Sequence, residues 1–172
     1  MATTKWISDS AHSELQFKIK HLMISTVTGS VKKFEVMVES HGDDFTNAKI
    51  NFIADVHSID TNNPEREKHL QAVAFFDSEH FPTITFESTR MERTDEESYK
   101  LHGNLMIKGI GKSIVIDVEH GGIVEKDRFG NKKAGFTINT KINRHDFGVG
   151  PVNPGLGDEI KLYSSIQIVK QI

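Results

Sequence analysis

Apolar and polar residues alternate along most of this chain, and strict alternation marks a strand that buries one face. Residues 12–21 put Leu15, Phe17, Ile19 and His21 on one side, with Gln16, Lys18 and Lys20 on the other. Residues 31–39 set Phe34, Val36 and Val38 against Lys33, Glu35 and Glu39. Residues 48–57 set Ile50, Phe52, Ala54 and Val56 against Lys49, Asn51 and Asp55. The pattern returns at Ile84-Phe86-Ser88, runs through Tyr99-Leu101-Gly103-Leu105-Ile107, and continues in Ile114-Ile116-Val118-His120. Phe136-Ile138-Thr140-Ile142 and Ile160-Leu162-Ser164-Ile166-Ile168 complete a set of eight predicted strands. Turn residues separate them at His41-Gly42-Asp43-Asp44, Lys108-Gly109-Ile110-Gly111 and Asp127-Arg128-Phe129-Gly130-Asn131.

One helix interrupts the alternation, between the third and fourth strands. Asn63 suits its N-cap, Pro64 its first position, and Glu65 and Glu67 its first turn. Arg66, His69, Leu70 and Val73 share one face at helical spacing, so two polar residues lie on the face predicted to meet the strands. A second turn from Asp77 to His80 ends at Phe81-Pro82.

Eight antiparallel strands with apolar inner and polar outer faces are best satisfied by closure, which removes unpaired edges. The expected fold is therefore all-β, an eight-stranded antiparallel barrel with one inserted helix, forming one domain over residues 1–172. A barrel of about eight strands is filled by side chains or holds one small ligand. Small residues of inward parity, Ala54, Ser88, Gly103, Thr140 and Ser164, fit either case. They complement large neighbours in a packed core, or they line a channel.

Composition narrows the chemistry. The chain has no cysteine, which excludes disulfides, thiolate metal sites and cysteine nucleophiles. Its net charge of -3 offers no basic field for nucleic acid. No window has transmembrane length, and Met1 to Trp6 holds no signal-like apolar stretch, so a cytoplasmic location is expected. Nine histidines raise the question of a metal, but no His-Glu-x-x-His pattern is present and no metal is expected. Ser30-Val31-Lys32-Lys33 matches Ser-x-x-Lys without the partner motifs that chemistry needs.

The sequence resembles the YceI-like family of polyisoprenoid-binding, lipocalin-like proteins, from about Trp6 to Ile168. The likeness begins at Trp6-Ile7-Ser8-Asp9-Ser10-Ala11-His12-Ser13 and continues through Lys20-His21 and Gly29. It is carried further by Ser58-Ile59-Asp60-Thr61, Arg66-Glu67-Lys68-His69-Leu70, Phe75-Phe76-Asp77 and Phe81-Pro82-Thr83-Ile84-Thr85-Phe86. Gly103-Asn104-Leu105, Lys108-Gly109 and Asn143-Arg144-His145-Asp146-Phe147-Gly148-Val149 close the set. Glu67 stands where the family usually has Asp, which keeps the charge.

The resemblance implies a helix packed at one barrel end, and non-catalytic carriage or storage of a polyisoprenoid, prenylquinone or fatty-acid derivative. It also implies a homodimer and a role in transport or stress response; transient membrane contact would suit such a carrier. Phe17, Ile19, Phe34, Phe52, Phe86, Leu101, Leu105, Ile107, Phe136 and Ile138 are then ligand wall or plain core. Arg66 and His69 are either a polar cluster satisfying loop carbonyls or contacts to a ligand phosphate or carbonyl. His21 meets a ligand head group or the backbone, and Phe147 covers a barrel end. Two alternatives stand beside the carrier. One is an enzyme using His21, Arg66 and His69 at the barrel mouth. The other is an interaction module with a filled barrel and outward apolar residues such as Ile53, Met106, Val115 and Val169.

Overall fold

The computed structural model describes residues 3–172. Its strands are β1 (Thr4–Ser8), β2 (Glu14–His21), β3 (Ser25–Val31), β4 (Phe34–His41), β5 (Asp44–Asp55) and β6 (Ile59–Asp60). After helix α1 (Pro64–Leu70) come β7 (Thr83–Arg93), β8 (Ser98–Ile107), β9 (Ile110–Val124), β10 (Lys133–Asn143) and β11 (Leu156–Lys170). All pairings are antiparallel, in the order β1-β4-β5-β7-β8-β9-β10-β11, and the ring closes where Trp6 to Ser8 of β1 meet Lys170 to Ile168 of β11. This is the expected eight-stranded closed barrel.

The eleven segments reduce to eight strands because three strands are bent; one of these is β5 with β6, broken by a 3-10 turn at Val56–Ser58. β1 and β2 are halves of one strand, broken by a 3-10 turn at Ser10–His12. The Asp9 carboxylate caps that turn by accepting from the Ala11 N–H. β3 and β4 flank Lys32-Lys33 in the same way, and that break is stitched to Ser58. The fifteen-residue β11 serves both halves of the first strand, pairing β1 near its end and β2 from Leu156↔His21 to Ser165↔Glu14.

The helix forms where its sequence signals place it. The Asn63 side chain accepts from the Arg66 N–H at 3.1 Å. Glu67 reaches back to accept from the N–H groups of Thr61 at 2.9 Å and Asn63 at 3.0 Å. These bonds satisfy donors that a helix start leaves open and also hold the Glu67 carboxyl below its usual pKa. The helix ends at Leu70, sooner than the 66-69-70-73 spacing predicts. Val73 lies beyond it and is 68 % exposed, because residues 71–81 fold into tight turns that end at Pro82.

Several strand limits also differ from the sequence expectation. β7 extends to Arg93 and β9 begins at Ile110, so only Lys108 and Gly109 make that turn. The left-handed backbone at both residues is what a two-residue hairpin requires.

Candidate ligand-binding site

The two ends of the barrel are built differently. At the end opposite the helix, Trp6, Phe45, Met91, Tyr99, Ala134 and Ile168 are all buried. The Trp6 ring lies 5.4 Å from Phe45, and Phe45 meets Phe136 edge-on at 4.9 Å. The indole N–H donates to Ser40 Oγ at 2.8 Å, so the polar atom of Trp6 is satisfied. His120 stacks on Phe136 at 4.8 Å; its Nε2 is buried without a partner, and burial pushes its pKa down. A neutral imidazole therefore belongs to this plug.

Toward the helix the inner wall changes. Ile19, Ile114, Ile116, Ile138, Ile160 and Leu162 point inward by register, yet each is only half-buried. Phe17, Phe34 and Phe52 are also half-buried and pack with Leu70 and Phe76 of the helical segment around Val31, Ala54, Val56 and Ile59. The interior is thus dry and full at one end, and apolar but reachable by solvent at the other.

The wall also has a seam there. β9 and β10 pair from Lys133↔Val124 only as far as Asn139↔Asp117, although both strands continue. One side chain bridges the gap, with Thr140 Oγ1 donating to the Val115 carbonyl at 2.9 Å. Over this seam the outer wall is concave, a groove of about 670 Å³ lined by Val115, Asn139, Thr140, Lys161, Leu162 and Tyr163 among others. The central cavity next to the plug, between Phe45, Met91, Leu101, Val118, Phe136 and Ile166, is only about 40 Å³. That is room for a few waters, well below the few hundred Å³ of a typical ligand pocket.

The small inward residues are used by the protein itself. A side chain at Gly103 would collide with the Phe86 ring, and one at Gly29 with the Phe17 ring. Ser88 Oγ accepts from the Ile50 N–H, and Ser164 Oγ donates to the Glu14 carbonyl. These positions complement large neighbours rather than lining a channel.

The predicted site residues separate into groups. Phe17, Ile19, Phe34, Phe52, Phe136 and Ile138 are inward and half-buried. Phe86, Leu101, Leu105 and Ile107 are buried in the core. Phe147 is 1 % exposed, in a 3-10 turn at Arg144–Phe147 beside the helix-bearing end. The polar candidates do not gather. Arg66 turns back to its own loop, donating from Nε to Thr61 Oγ1 at 3.0 Å and from Nη2 to the Thr61 carbonyl at 2.9 Å. His69 and His21 are exposed, and no hydrogen bond joins them to Arg66 or to each other. Arg66 therefore serves its own loop at Thr61, and Leu70 is the apolar residue of the helix that packs against the barrel.

Arg144 does more at this end than its sequence position suggests. It is 1 % exposed and donates to the carbonyls of Gly157, Val149 and Pro151 at 2.9–3.0 Å. It thereby holds the loop between β10 and β11 against the barrel. His12 pairs with Asp9 and His80 with Asp77, so these histidines do not converge. Among the described residues no group of three His, Asp or Glu side chains is placed to hold a metal ion.

Comparison with known proteins agrees with the architecture. The model of the YceI-like domain matches residues 6–168. A UPF0312 protein of Staphylococcus aureus strain N315 is 37% identical over 146 residues, covering 85% of this chain and 82% of that protein. Among solved structures, the Campylobacter jejuni YceI protein is 34% identical, with a TM-score of 0.81 over 90% of this chain and 91% of that one. A polyisoprenoid binding domain from Saccharophagus degradans, implicated in plant cell wall breakdown, shares the fold with a TM-score of 0.72 at 11% identity, over 96% of this chain and 98% of that one. With the barrel, its capping helix and the match over residues 6–168 all in agreement, this chain belongs to the YceI-like family.

Proposed function

We propose that this protein binds the apolar tail of a lipid, of the polyisoprenoid, prenylquinone or fatty-acid kind, in the helix-bearing half of its barrel, and performs no bond-making on it. The supporting observation is the half-buried apolar wall of Ile19, Ile114, Ile116, Ile138, Ile160 and Leu162 beside a dry, sealed opposite end. Apolar surface facing inward but touched by water is stabilised by a bound chain, at about 0.8 kcal/mol per buried methylene. A tail of a few tens of carbons binds tightly on that basis even after association costs. The Saccharophagus domain, a fold neighbour named for polyisoprenoid binding, supports the choice of ligand class to test first.

The test is the intact native mass of gently purified protein, followed by lipid extraction of the same sample. The expected result is a one-to-one mass excess released as a long apolar chain. Ile138→Trp with Leu162→Trp should fill the wall and prevent uptake while the barrel still folds. An apo mass unchanged after incubation with prenylquinones and fatty acids would end the carrier reading. One observation favours a second reading, a filled barrel acting through its surface: the outer groove of about 670 Å³ exceeds the central free space of about 40 Å³. The unchanged apo mass would leave that reading standing.

A further inference from the structure

The turn between β2 and β3 breaks two physical preferences at once. Leu22 and Met23 both have left-handed backbone, with φ of 53° and 57°, and the Ile24 N–H donates back to the His21 carbonyl. A hairpin turn with two left-handed central residues normally selects Asn-Gly, because a bulky side chain is strained there. Here it carries Leu-Met-Ile, exposed by 56 %, 70 % and 85 %. Neither backbone preference nor solvation favours that choice, and exposed strained positions direct attention to function.

The turn lies at the helix-bearing end. The Leu22 N–H donates to the Gly155 carbonyl at 2.7 Å, which ties the turn to the loop between β10 and β11. That loop adds Val152 at 87 % exposure, and its Gly150 N–H donates to the Ala74 carbonyl, next to exposed Val73. Apolar side chains from three separate segments thus project from the end where the inner wall is open.

Behind the turn stands a basic row. Lys141, Lys161 and Lys18 are direct neighbours across β10, β11 and β2, on the outer face. Like charges placed directly opposite destabilise a sheet. None of the three is in an ion pair among the described residues. Lys20 lies on the same face, nearer the turn. Along the strand, Lys20 and Lys18 sit roughly 7 and 13 Å behind Leu22, at about 3.3 Å per residue. Side chains that enter a bilayer interface by about 5–10 Å would bring these ammonium groups to the lipid phosphates. Asp117, Asp158 and Glu159 are acidic neighbours; Asp117 is paired with Lys100, and Asp158 is engaged with His145 at 2.8 Å.

We infer that Leu22, Met23 and Ile24, with Val152, form a membrane-docking tip that seats the open end of the barrel on a lipid surface, with Lys18, Lys20, Lys141 and Lys161 facing the phosphates. The inference rests on the carrier reading for its purpose, since an apolar cargo passes between bilayer and barrel without crossing water. A second copy of the chain is a poorer occupant, because two tips meeting end to end would bring both lysine rows together.

The test is co-sedimentation of the full chain with vesicles of phosphatidylcholine, with and without phosphatidylglycerol. Binding is expected to both, and more strongly to the anionic vesicles. Met23→Ser with Ile24→Ser should weaken partitioning at least about tenfold. Leu22→Asn with Met23→Gly should do the same while holding or raising Tm, since those residues suit the turn; a merely structural tip predicts a lower Tm. Both variants should still take up geranylgeraniol from detergent, read by native mass. The inference is overturned if the wild type ignores vesicles while taking up the probe, or if the variants sediment as the wild type does. It is equally overturned if the wild type is a dimer that the variants convert to monomer. Tip-dependent vesicle binding with no probe uptake would instead sustain the tip and end the carrier reading.

Discussion

The barrel wall has two places where adjacent strands run on without pairing, and the two are handled in opposite ways. Near the plugged end, β5 and β7 pair only from Asn51↔Glu87 to Asp55↔Thr83, and beyond that Ser88 Oγ takes the Ile50 N–H. Near the helix, β9 and β10 part after Asn139↔Asp117, and Thr140 Oγ1 takes the Val115 carbonyl. Each gap is crossed by one hydroxyl. The first is backed by Phe45 and Met91, at 1 % and 3 % exposure, while the second is backed by half-buried Ile116, Ile138 and Leu162. Local strand separation therefore does not open a barrel by itself; what stands behind the gap decides.

If that contrast is right, truncation should cost most at the plug. Trp6→Ala removes a ring buried to 1 % exposure and leaves Ser40 without its donor. A loss of about 3–5 kcal/mol is expected in urea unfolding, whereas Val152→Ser at the open end should stay within about 0.5 kcal/mol. Equal losses would erase the distinction between the ends.

Next comes the polar fastening of the open end. Arg144→Ala leaves the carbonyls of Val149, Pro151 and Gly157 without their donor. It should cost about 2–4 kcal/mol and speed hydrogen exchange chiefly across residues 148–157. Uniform exchange across the barrel would mean that Arg144 supports the whole fold.

The smallest effect concerns acid. Hydrogen bonds from Lys133 at 2.6 Å and His12 at 2.9 Å hold Asp9 at a pKa of about 2. A carboxylate held below its unfolded value near 3.8 stabilises the fold above that pH, and the contribution fades as pH falls toward about 2. Asp9→Asn should remove about 1–2 kcal/mol at neutral pH and flatten the acid limb of the stability curve between those values. An unchanged limb would place acid sensitivity elsewhere.

The eight strands were legible because their inner faces keep a two-residue period. The plug was legible only in part: Tyr99, His120, Phe136 and Ile168 keep that period, but it breaks at Phe45 and Met91. Asn47 adopts φ of 60° and inserts a residue, so Phe45, which strict alternation from Ile50 would turn outward, points inward. A register shift between Ser88 and Arg90 does the same for Met91, and β9 carries an extra residue at Gly121 against β10. The Asn beside Phe45 is the signal that would have found the first of these. Arg66 could be read only as one of two alternatives, because helical spacing gives a face but not whether a long side chain bends back to its own loop, as Arg66 does at Thr61. The exposed Leu-Met-Ile turn was readable as a sequence, yet its significance depends on two left-handed residues that composition does not reveal.

The closure between β1 and β11 also has a consequence for how the chain acquires its shape. Trp6 pairs with Lys170, so the ring cannot be completed until nearly all of the chain from Thr4 to Lys170 has been synthesised. Contacts so distant in sequence make folding slow, of the order of milliseconds to seconds. Until β11 arrives, β10 on one side and β1 with β2 on the other present unpaired edges to neighbouring chains on the same messenger. The last long strand to be translated is thus the one that ends the chain's exposure to aggregation.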